Sequence, residues 1–307
     1  MSESQSPSVS PLTAARRRLL RRAPARLSLL VLALVVACAL LVPLLLPASY
    51  RDVTNNQFSP PTLHHPFGTD LSGHDLFYRV LAGARISLLV GAAGALISLF
   101  LGTAYGLISG YVGGIIDELM MRAVEILYAF PRLIVIIIAI GSFDPYLVDW
   151  LYRHHLGGYA GYSRIIIVIL ALGVIEWFTM ARIVRGQVLA LKSQQFVTAA
   201  RSLGQGHLKI ILRHLLPNLI GIVIVYLTLT IPAVILDESF LSFLGVGLQE
   251  PQVSWGSLLA DAVSVINPIR SYWWLLLFPA VAMSATLLSL NFLGDALRDA
   301  LDPRERR

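Results

Sequence analysis

The chain has 307 residues, of which 56% are apolar and only 14% are charged, and its mean hydropathy is +0.71. Soluble domains carry about 25% charged residues, so this composition excludes an ordinary soluble protein and indicates a membrane protein. The net charge is +6, but no basic face interleaved with aromatic residues predicts nucleic-acid binding. Cys38 is the only cysteine, which excludes a disulfide framework and a metal site built from cysteines.

The first predicted element is a spanning helix over Leu27–Leu46, an uncharged run long enough for a bilayer core of about 30 Å. It follows an arginine-rich segment, residues 1–26, that we assign to the cytoplasm. The same pattern also fits a secretory signal peptide. A signal core has only about 7–15 apolar residues, so we interpret the run as an uncleaved first span.

Five further apolar runs follow in chain order, and each is long enough to cross a bilayer. They are Ile86–Ile108, Leu119–Ile140, the run from Ile165 to about Ala181, Leu219–Leu236, and Tyr272–Leu293. The sequence therefore predicts an all-α, polytopic membrane protein with six transmembrane helices.

The distribution of basic residues predicts the direction of the helices. With a cytoplasmic N-terminus, 17 of the 24 Lys and Arg residues fall in interior segments and six in exterior ones. The positive-inside rule therefore places both termini in the cytoplasm. We divide the chain into the N-terminal segment, a first helix with its exterior loop (27–85), a five-helix core (86–295) and a cytoplasmic tail (296–307). Ser142–Ser163 and Leu241–Ser271 are predicted as further exterior loops.

Small residues recur every four positions in the second span, at Gly94, Ser98, Gly102 and Gly106. This interval keeps them near one helix face, where small side chains let another helix backbone approach closely. The pattern predicts helix packing in preference to a lining for substrate.

Charged residues in the third span also fall on one predicted stripe, at Glu118, Arg122, Glu125 and Arg132. Ionisable groups at membrane depth rarely face lipid, so we expect the stripe to face the bundle interior or a partner protein. Two interpretations stay open: ion pairs that fix the helix register, or a part in a translocation path. Pro131 is expected to bend this helix. For Glu176 in the fourth span, Arg182 and Arg185 are the expected partners.

Residues 192–217, between spans four and five, do not have the pattern of an ordinary connection. Phe196–Gly204 predicts a short amphipathic helix stopped by glycine, and His207–Leu216 resumes a helix before Pro217. A compact helix–turn–helix of this kind offers a rigid knob to a soluble partner. From periodicity alone, a helix lying on the membrane surface is an equal alternative.

This segment resembles the EAA loop of binding-protein-dependent ABC importer permeases, in which Glu-Ala-Ala is followed, after three intervening residues, by Gly and then by Ile and Leu-Pro. The matching residues are Ala199, Ala200, Gly204, Ile211, Leu216 and Pro217. Thr198 stands where the family usually has Glu.

Other motifs, in matching order, resemble the dipeptide/oligopeptide permease C branch, and its oligopeptide member in particular. They are His65–Asp70 with Gly73 and Asp75, Gly110–Gly114 with Asp117 and Met121-Arg122, Phe130-Pro131, Glu238–Gly245, Ser254–Gly256 and the C-terminal Asn291–Pro303.

The resemblance implies the type I ABC importer permease fold and a peptide importer. Its implied partners are a homologous second permease subunit, two ATP-binding subunits, an external peptide-binding protein and membrane lipid. The chain has no Gly-x-x-x-x-Gly-Lys-Ser/Thr loop, so we expect ATP hydrolysis in a partner, and we expect neither a cofactor nor a metal in this chain. The expected ATPase contacts are Phe196, Ala199, Ala200, Leu203 and Gly204. The expected exterior gate or docking residues are Gly68, Asp70, Asp75, Ser254 and Trp255.

Three competing functions are weaker. A membrane hydrolase would need a nucleophile–base pair or a His-Glu-x-x-His helix, and the sequence has neither. A channel or secondary transporter would lack the EAA-like loop. The exterior residues His64, His65, His74 and Asp75 fit a metal site less well than satisfied loop polar groups, but they keep open a nickel importer of the same family.

Overall fold

The computed structural model describes residues 22–45, 52–54, 56–266 and 270–301. Within these residues the chain is helical, with two isolated β-bridges, Val53 with His74 and Thr69 with Asp75. The α-helices are α1 (Ala23–Leu45), α2 (Leu76–Val112), α3 (Gly114–Tyr128), α4 (Arg132–Arg153), α5 (Ser163–Lys192), α6 (Gln195–Ser202), α7 (His207–Ile210), α8 (Leu216–Phe243), α9 (Trp255–Ser264) and α10 (Trp273–Leu301). A 3₁₀ turn (Gly157–Tyr162) precedes α5, and a π turn (Ile211–Leu215) joins α7 to α8.

Six helical segments among the described residues are long and apolar enough to span a membrane, which confirms the predicted number. Their most apolar parts lie in α1, α2, α4, α5, α8 and α10. The predicted cytoplasmic segment 1–26 and tail 296–307 fall largely outside the described residues. Where the two meet, Arg22 pairs with Asp299, which brings the first helix to the last one.

The predicted third span, Leu119–Ile140, is wrong as a continuous helix. The chain leaves the helix at Ala129–Pro131, and the spanning helix α4 begins at Arg132. Proline has no N–H and disfavours a helical residue before it, so Pro131 ends one helix and starts the next instead of bending a single helix. The helix then continues through Pro145 to Arg153, so the predicted loop Ser142–Ser163 is mostly helical.

The small residues of the second span pack α2 tightly against α5, as predicted. A Cβ atom added to Gly102 would lie 2.5 Å from Cβ of Met180, and one added to Gly106 would lie 2.3 Å from the carbonyl oxygen of Ala181. At Gly110 it would lie 2.9 Å from the carbonyl oxygen of Arg185. Only glycine permits this separation of the two backbones, because every side chain begins with a Cβ.

The small residues of α2 are followed by a backbone turn that requires glycine. Gly113 and Gly114 have φ angles of +71° and +60°, values that L-residues with a side chain adopt at a cost. The turn reverses the chain, so that α3 returns alongside the end of α2, and the Tyr105 hydroxyl donates to the carbonyl of Met120 at 2.8 Å.

Candidate coupling and translocation sites

The segment between α5 and α8 folds as the predicted compact element. α6 ends at Ser202, two residues before Gly204, which has φ +73°, and the N–H of Gln205 donates to the carbonyl of Ala200 at 3.1 Å. This glycine-terminated arrangement satisfies the last carbonyls of α6. α7 then begins at His207, so the two short helices are joined by a short turn.

One face of this element packs into the membrane core, and the other is exposed. Val197, Ile210 and Leu215 are fully buried in a cluster with residues of α2, α5 and α8. On the opposite face Phe196 is 40% exposed and Leu203 is 79% exposed. Exposed apolar side chains on a packed scaffold are typical of a surface that contacts another protein or a membrane.

The exposed face differs in part from the predicted contact residues. Ala199 and Gly204 are exposed as expected, but Ala200 is only 4% exposed and belongs to the inner cluster. Its position one residue after Ala199 turns it by about 100° around the helix axis, away from the outer face. Leu208 and Leu212 were not predicted, although they are 69% and 55% exposed on the same element. A helical wheel over α7 and the π turn would have shown them.

Polar contacts fix the element, called the coupling knob below (residues 192–217), to the membrane helices. The Tyr111 hydroxyl of α2 and His207 Nδ1 of α7 are hydrogen bonded at 2.8 Å. Lys192 Nζ donates to the carbonyl of Gly110 at 3.3 Å, and the Arg201 guanidinium lies 5.6 Å from the centre of the Tyr111 ring. These contacts join the knob directly to α2.

The knob is also uniformly basic. Between residues 192 and 217 the sequence has Lys192, Arg201, Lys209 and Arg213 and no acidic residue. With exposed leucines between these charges, the surface is complementary to a partner that is apolar and acidic. Thr198, which stands at the family's Glu position, is exposed, and its hydroxyl bonds its own helix at the carbonyl of Gln194.

An ion pair between Asp117 and Arg185 joins α3 to α5 next to the knob. Arg185 donates to both carboxylate oxygens of Asp117, Nε at 2.5 Å and Nη2 at 2.7 Å, and the Ser109 hydroxyl also donates to Asp117. The hydrogen bonds from Arg185 hold the pKa of the Asp117 carboxyl below its ordinary value, against the opposing effect of burial.

The predicted charged stripe is divided between two helices. Glu118, Arg122 and Glu125 are exposed on α3, where Arg122 and Glu125 approach to 4.0 Å. Arg132 belongs to α4, because the chain leaves the helix between them, so the prediction of one stripe is wrong.

Arg132 is instead the centre of a cluster with Glu176 and Asp237. Its Nη1 lies 3.2 Å from Glu176 Oε1, and its Nη2 lies 3.0 Å from Asp237 Oδ1. The predicted partners of Glu176 were Arg182 and Arg185, which is also wrong: Arg182 lies 4.3 Å from the centre of the Tyr128 ring, and Arg185 pairs with Asp117. No local pattern pointed to Asp237, which is far away along the chain.

A cleft of roughly 560 Å³ opens beside Arg132. Its walls are mostly apolar and aromatic and come from the end of α3, the start of α4 and the middle of α5. The lining residues are Leu127, Tyr128, Phe130, Arg132, Val135, Ile175, Glu176, Phe178 and Thr179. The cleft is called the α4 cleft below.

The predicted exterior residues form a buried frame and not an exposed surface. Gly68, Asp70, Asp75, Ser254 and Trp255 are all buried, so their side chains do not themselves offer a contact to a docked protein. Any part they have in the predicted exterior gate or docking surface is to shape it from within, and that role stays a prediction. The motif residues are of types that stabilise loops, which is why sequence alone did not separate the two roles.

Each of these residues has a visible structural task. Asp75 caps α2 by accepting from the N–H of Phe77 at 2.9 Å, and Trp255 Nε1 donates to the carbonyl of Val80 at 3.1 Å. Gly68 has φ +78°, and a Cβ there would lie 2.5 Å from the carbonyl oxygen of Ser59. Ser254 forms a capping box with Ser257 at the start of α9.

The exterior histidines pair with the same aspartates. His65 Nδ1 lies 2.8 Å from Asp75 Oδ2, and His74 Nδ1 lies 3.3 Å from Asp70 Oδ2. The hydrogen bond of His65 supports its interpretation as a satisfied loop group, whereas His74 Nδ1 is buried without a hydrogen-bond partner among the described residues.

Comparison with known proteins decides the family. A family model described as binding-protein-dependent transport system inner membrane component matches residues 102–307. The chain belongs to this permease family. A second model, the N-terminal transmembrane domain of oligopeptide transport permease C, matches residues 10–61.

Similar curated relatives of this permease carry peptide-transport names. The chain is 46% identical to the oligopeptide transport system permease protein OppC of Haemophilus influenzae, over 95% of this chain and 88% of the relative. It is 45% identical to OppC of Escherichia coli (strain K12), over 95% and 91%, and 43% identical to the dipeptide transport system permease protein DppC of Bacillus subtilis, over 98% and 88%. The chain is thus a multi-pass membrane component of an importer that works with other subunits, and it is not an enzyme.

One buried group of this permease was not expected to matter individually. Glu238 is fully buried in α8 and accepts from the hydroxyls of Ser242 at 2.8 Å and Ser87 at 3.2 Å. The N–H of Leu248 donates to Ser242 Oγ, and the N–H of Trp255 donates to Ser87 Oγ. Each serine hydroxyl therefore accepts one hydrogen bond from the backbone and donates one to Glu238. The carboxylate joins α2, α8 and α9 at the exterior end of the core.

Proposed function

We propose that this chain is a permease subunit of an ATP-driven importer of peptides in the bacterial cytoplasmic membrane. In this proposal it pairs with a homologous second permease subunit, two ATP-binding subunits and an external peptide-binding protein. The observation that carries the proposal is the coupling knob, a rigid basic and apolar surface that the predicted topology places in the cytoplasm.

The knob has the properties that coupling to an ATPase requires. It presents Phe196, Leu203, Leu208 and Leu212 outward, while its inner face is continuous with the packing of the membrane helices. When ATP brings the two ATPase subunits together, a knob seated on one of them moves with it. ATP then favours the helix arrangement that fits the closed ATPase pair, which is a shift of population between two global states.

The small fraction of α4 that is buried within this chain supports the presence of a second permease subunit. Only 11% of the apolar part of α4 is buried within the chain, against 44% of the span that contains α5. α4 also carries Arg132 at its start, and charged groups at membrane depth rarely face lipid. A homologous subunit that covers α4 and shares the translocation path between the two chains satisfies both observations.

The substrate assignment is supported by the relatives. The relatives named above are oligopeptide and dipeptide permeases, and the similarity covers 95% or more of the chain. These names favour peptides over the nickel alternative. Of the two peptide classes, we favour oligopeptides as the substrate, because residues 10–61 also match the oligopeptide permease C model.

The proposal is tested by uptake of labelled di-, tri- and pentapeptides into cells with and without this chain, with ⁶³Ni²⁺ as a parallel substrate. Loss of peptide uptake with unchanged nickel uptake supports the proposal. Unchanged peptide uptake in cells that lack the chain, or loss of nickel uptake alone, contradicts it.

A substitution in the knob tests coupling separately. Gly204→Asp adds a charge to the exposed face and a side chain at φ +73°, so we expect assembly in the membrane but loss of transport. Gly206→Asp is the matched control, since Gly206 has φ −66° at the N-cap of α7, a position that aspartate favours. Normal peptide uptake by the Gly204→Asp variant would refute the assignment of the knob.

A further inference from the structure

The α4 cleft brings together three features that favour an anionic ligand. We propose that it binds the C-terminal carboxylate of the peptide during its passage, through the Arg132 guanidinium and the N-terminus of α4. This inference rests on the proposed peptide-import function and adds a specificity-determining site to it.

The first feature is the accessibility of the guanidinium. The Arg132 side chain is 55% exposed, whereas those of its partners Glu176 and Asp237 are 14% and 9% exposed. The two ion-pair contacts use two of the five N–H donors of arginine and leave three for a ligand. Asp237 does not line the cleft and Glu176 forms part of its wall, so Arg132 is the most exposed charged side chain of the three.

The second feature is a helix that starts at the cleft. α4 begins at Arg132 without a side-chain cap, so the N–H groups of its first turn have no acceptor within the helix. The helix dipole adds partial positive charge at this end. Interrupted helices in transporters direct such ends at anionic groups of the substrate. The site lies within the spanning segments, because Glu176 is near the midpoint of α5 (Ser163–Lys192) and Asp237 lies in the last third of α8 (Leu216–Phe243).

The third feature is the size and chemistry of the cleft. A volume of roughly 560 Å³ falls in the range of small-ligand sites and accommodates the terminal residues of a peptide. Its walls include Tyr128, Phe130 and Phe178, which accept varied side chains without specific hydrogen bonds and strengthen the ion pair by excluding water. The C-terminal carboxylate is common to all unmodified peptides, so recognition of this group suits a path that must pass many sequences.

The N-terminal ammonium of the peptide is the competing ligand chemistry. The cluster has two carboxylates for one arginine, and Asp237 Oδ2 is buried without a hydrogen-bond partner. Both carboxylates are already paired with Arg132, however, and its side chain is far more exposed than theirs. The geometry therefore favours the carboxylate terminus, and the experiment includes the ammonium as an outcome.

The test uses the complete assembly in proteoliposomes, with the binding protein saturated in advance by each peptide so that its own affinity does not enter the rate. One labelled peptide is compared with its C-terminal amide and with its N-acetyl derivative. The wild type should transport the free acid about tenfold faster than the amide, as expected for the loss of a charge-assisted contact. Arg132→Gln should bring this ratio close to one, and Arg132→Lys should give an intermediate ratio, because lysine keeps the charge but loses the planar fork.

Arg153→Gln is the matched control, because Arg153 lies on the same helix, is exposed and is paired with Asp149 four residues away. It should leave the acid-to-amide ratio unchanged. Removing only the arginine leaves two carboxylates unbalanced in the membrane, so a neutral cluster is also made with Arg132→Gln, Glu176→Gln and Asp237→Asn together. It should again give a ratio near one.

Several results would overturn the inference. Equal transport of acid and amide by the wild type would do so without any variant, and so would a ratio that survives Arg132→Gln. A wild type that discriminates only against the N-acetyl peptide would assign the cluster to the ammonium terminus. An assembly that hydrolyses ATP but moves none of the three peptides would instead contradict the proposed function.

Discussion

The close packing of α2 on α5 makes Gly106 the most demanding position of the glycine stripe. A Cβ at this residue would lie 2.3 Å from the carbonyl oxygen of Ala181, whereas real Cβ atoms essentially never approach closer than 3.0 Å, so the two backbones must separate by about 0.7 Å. The obstacle is backbone and not the end of a flexible side chain, so rotamer changes do not relieve it. Overpacking of this kind costs about 1–3 kcal/mol. We therefore expect Gly106→Ala to lower the free energy of unfolding, although alanine favours a helix.

Gly186→Ala is the control for that experiment. Gly186 lies inside α5, and a Cβ added there meets nothing within 4 Å. Replacing a helical glycine by alanine in open space should stabilise by about 0.5–1 kcal/mol. Both variants are compared by SDS titration of the purified chain in mixed micelles, followed by circular dichroism. If the Gly106→Ala variant is as stable as the Gly186→Ala variant, the reasoning from backbone contact is refuted.

Three further predictions concern hydrogen-bonded groups. The hydrogen bonds from Arg185 lower the pKa of the Asp117 carboxyl. The contribution of this ion pair to the stability of the fold is therefore fully present above the pKa of the unfolded state, and it is lost as the pH falls through the lower pKa of the folded state. Asp117→Asn should remove this acid-range dependence of thermal stability. Tyr111→Phe removes the 2.8 Å bond to His207, worth about 1 kcal/mol, and should lower the amount of peptide moved per ATP hydrolysed by a factor of about five. Ser242→Ala should destabilise the exterior end by about 1–3 kcal/mol, measured as a loss of thermal stability, because it leaves a buried carboxylate oxygen and a backbone N–H without partners.

Each of these results has a clear opposite. An unchanged acid limb in the Asp117→Asn variant would mean that the ion pair with Arg185 does not contribute to stability. Wild-type coupling in the Tyr111→Phe variant would mean that the knob drives α2 through its apolar contacts alone. A Ser242→Ala variant of wild-type stability would show that water replaces the hydroxyl.

The sequence predicted those parts of the fold that depend on local chemistry. Long uncharged runs yield spanning helices because the bilayer requires every backbone polar group to be satisfied within the segment. The four-residue interval of small residues predicted a packing face, since this interval returns to the same side of a helix. The Phe196–Gly204 pattern predicted the helix of the knob and its glycine terminator.

The sequence-based predictions failed where contacts between segments far apart in the chain determine the position of a residue. Extending one helix through Pro131 placed Arg132 on a stripe with Glu118, whereas the break gives it partners on α5 and α8. No local pattern links Asp237 to Arg132, because they are 105 positions apart in the chain. Likewise, the burial of Asp70 and Trp255 depends on how the exterior loop folds over α2 and α9, and a motif does not specify that.

The glycine contacts between α2 and α5 have a mechanical consequence. From Gly94 to Gly110, about 24 Å of helix length, glycines of α2 lie close to the backbone and to the inner side-chain atoms of α5. The two helices therefore form one rigid unit, and α2, with 37 residues, gives this unit a length of about 55 Å. The coupling knob holds its cytoplasmic end through Tyr111, and a tilt of about 5° imposed there sweeps the far end through about 5 Å. In the proposed mechanism, the length of α2 alone therefore converts a small rotation of the knob in the cytoplasm into a larger displacement at the outer surface.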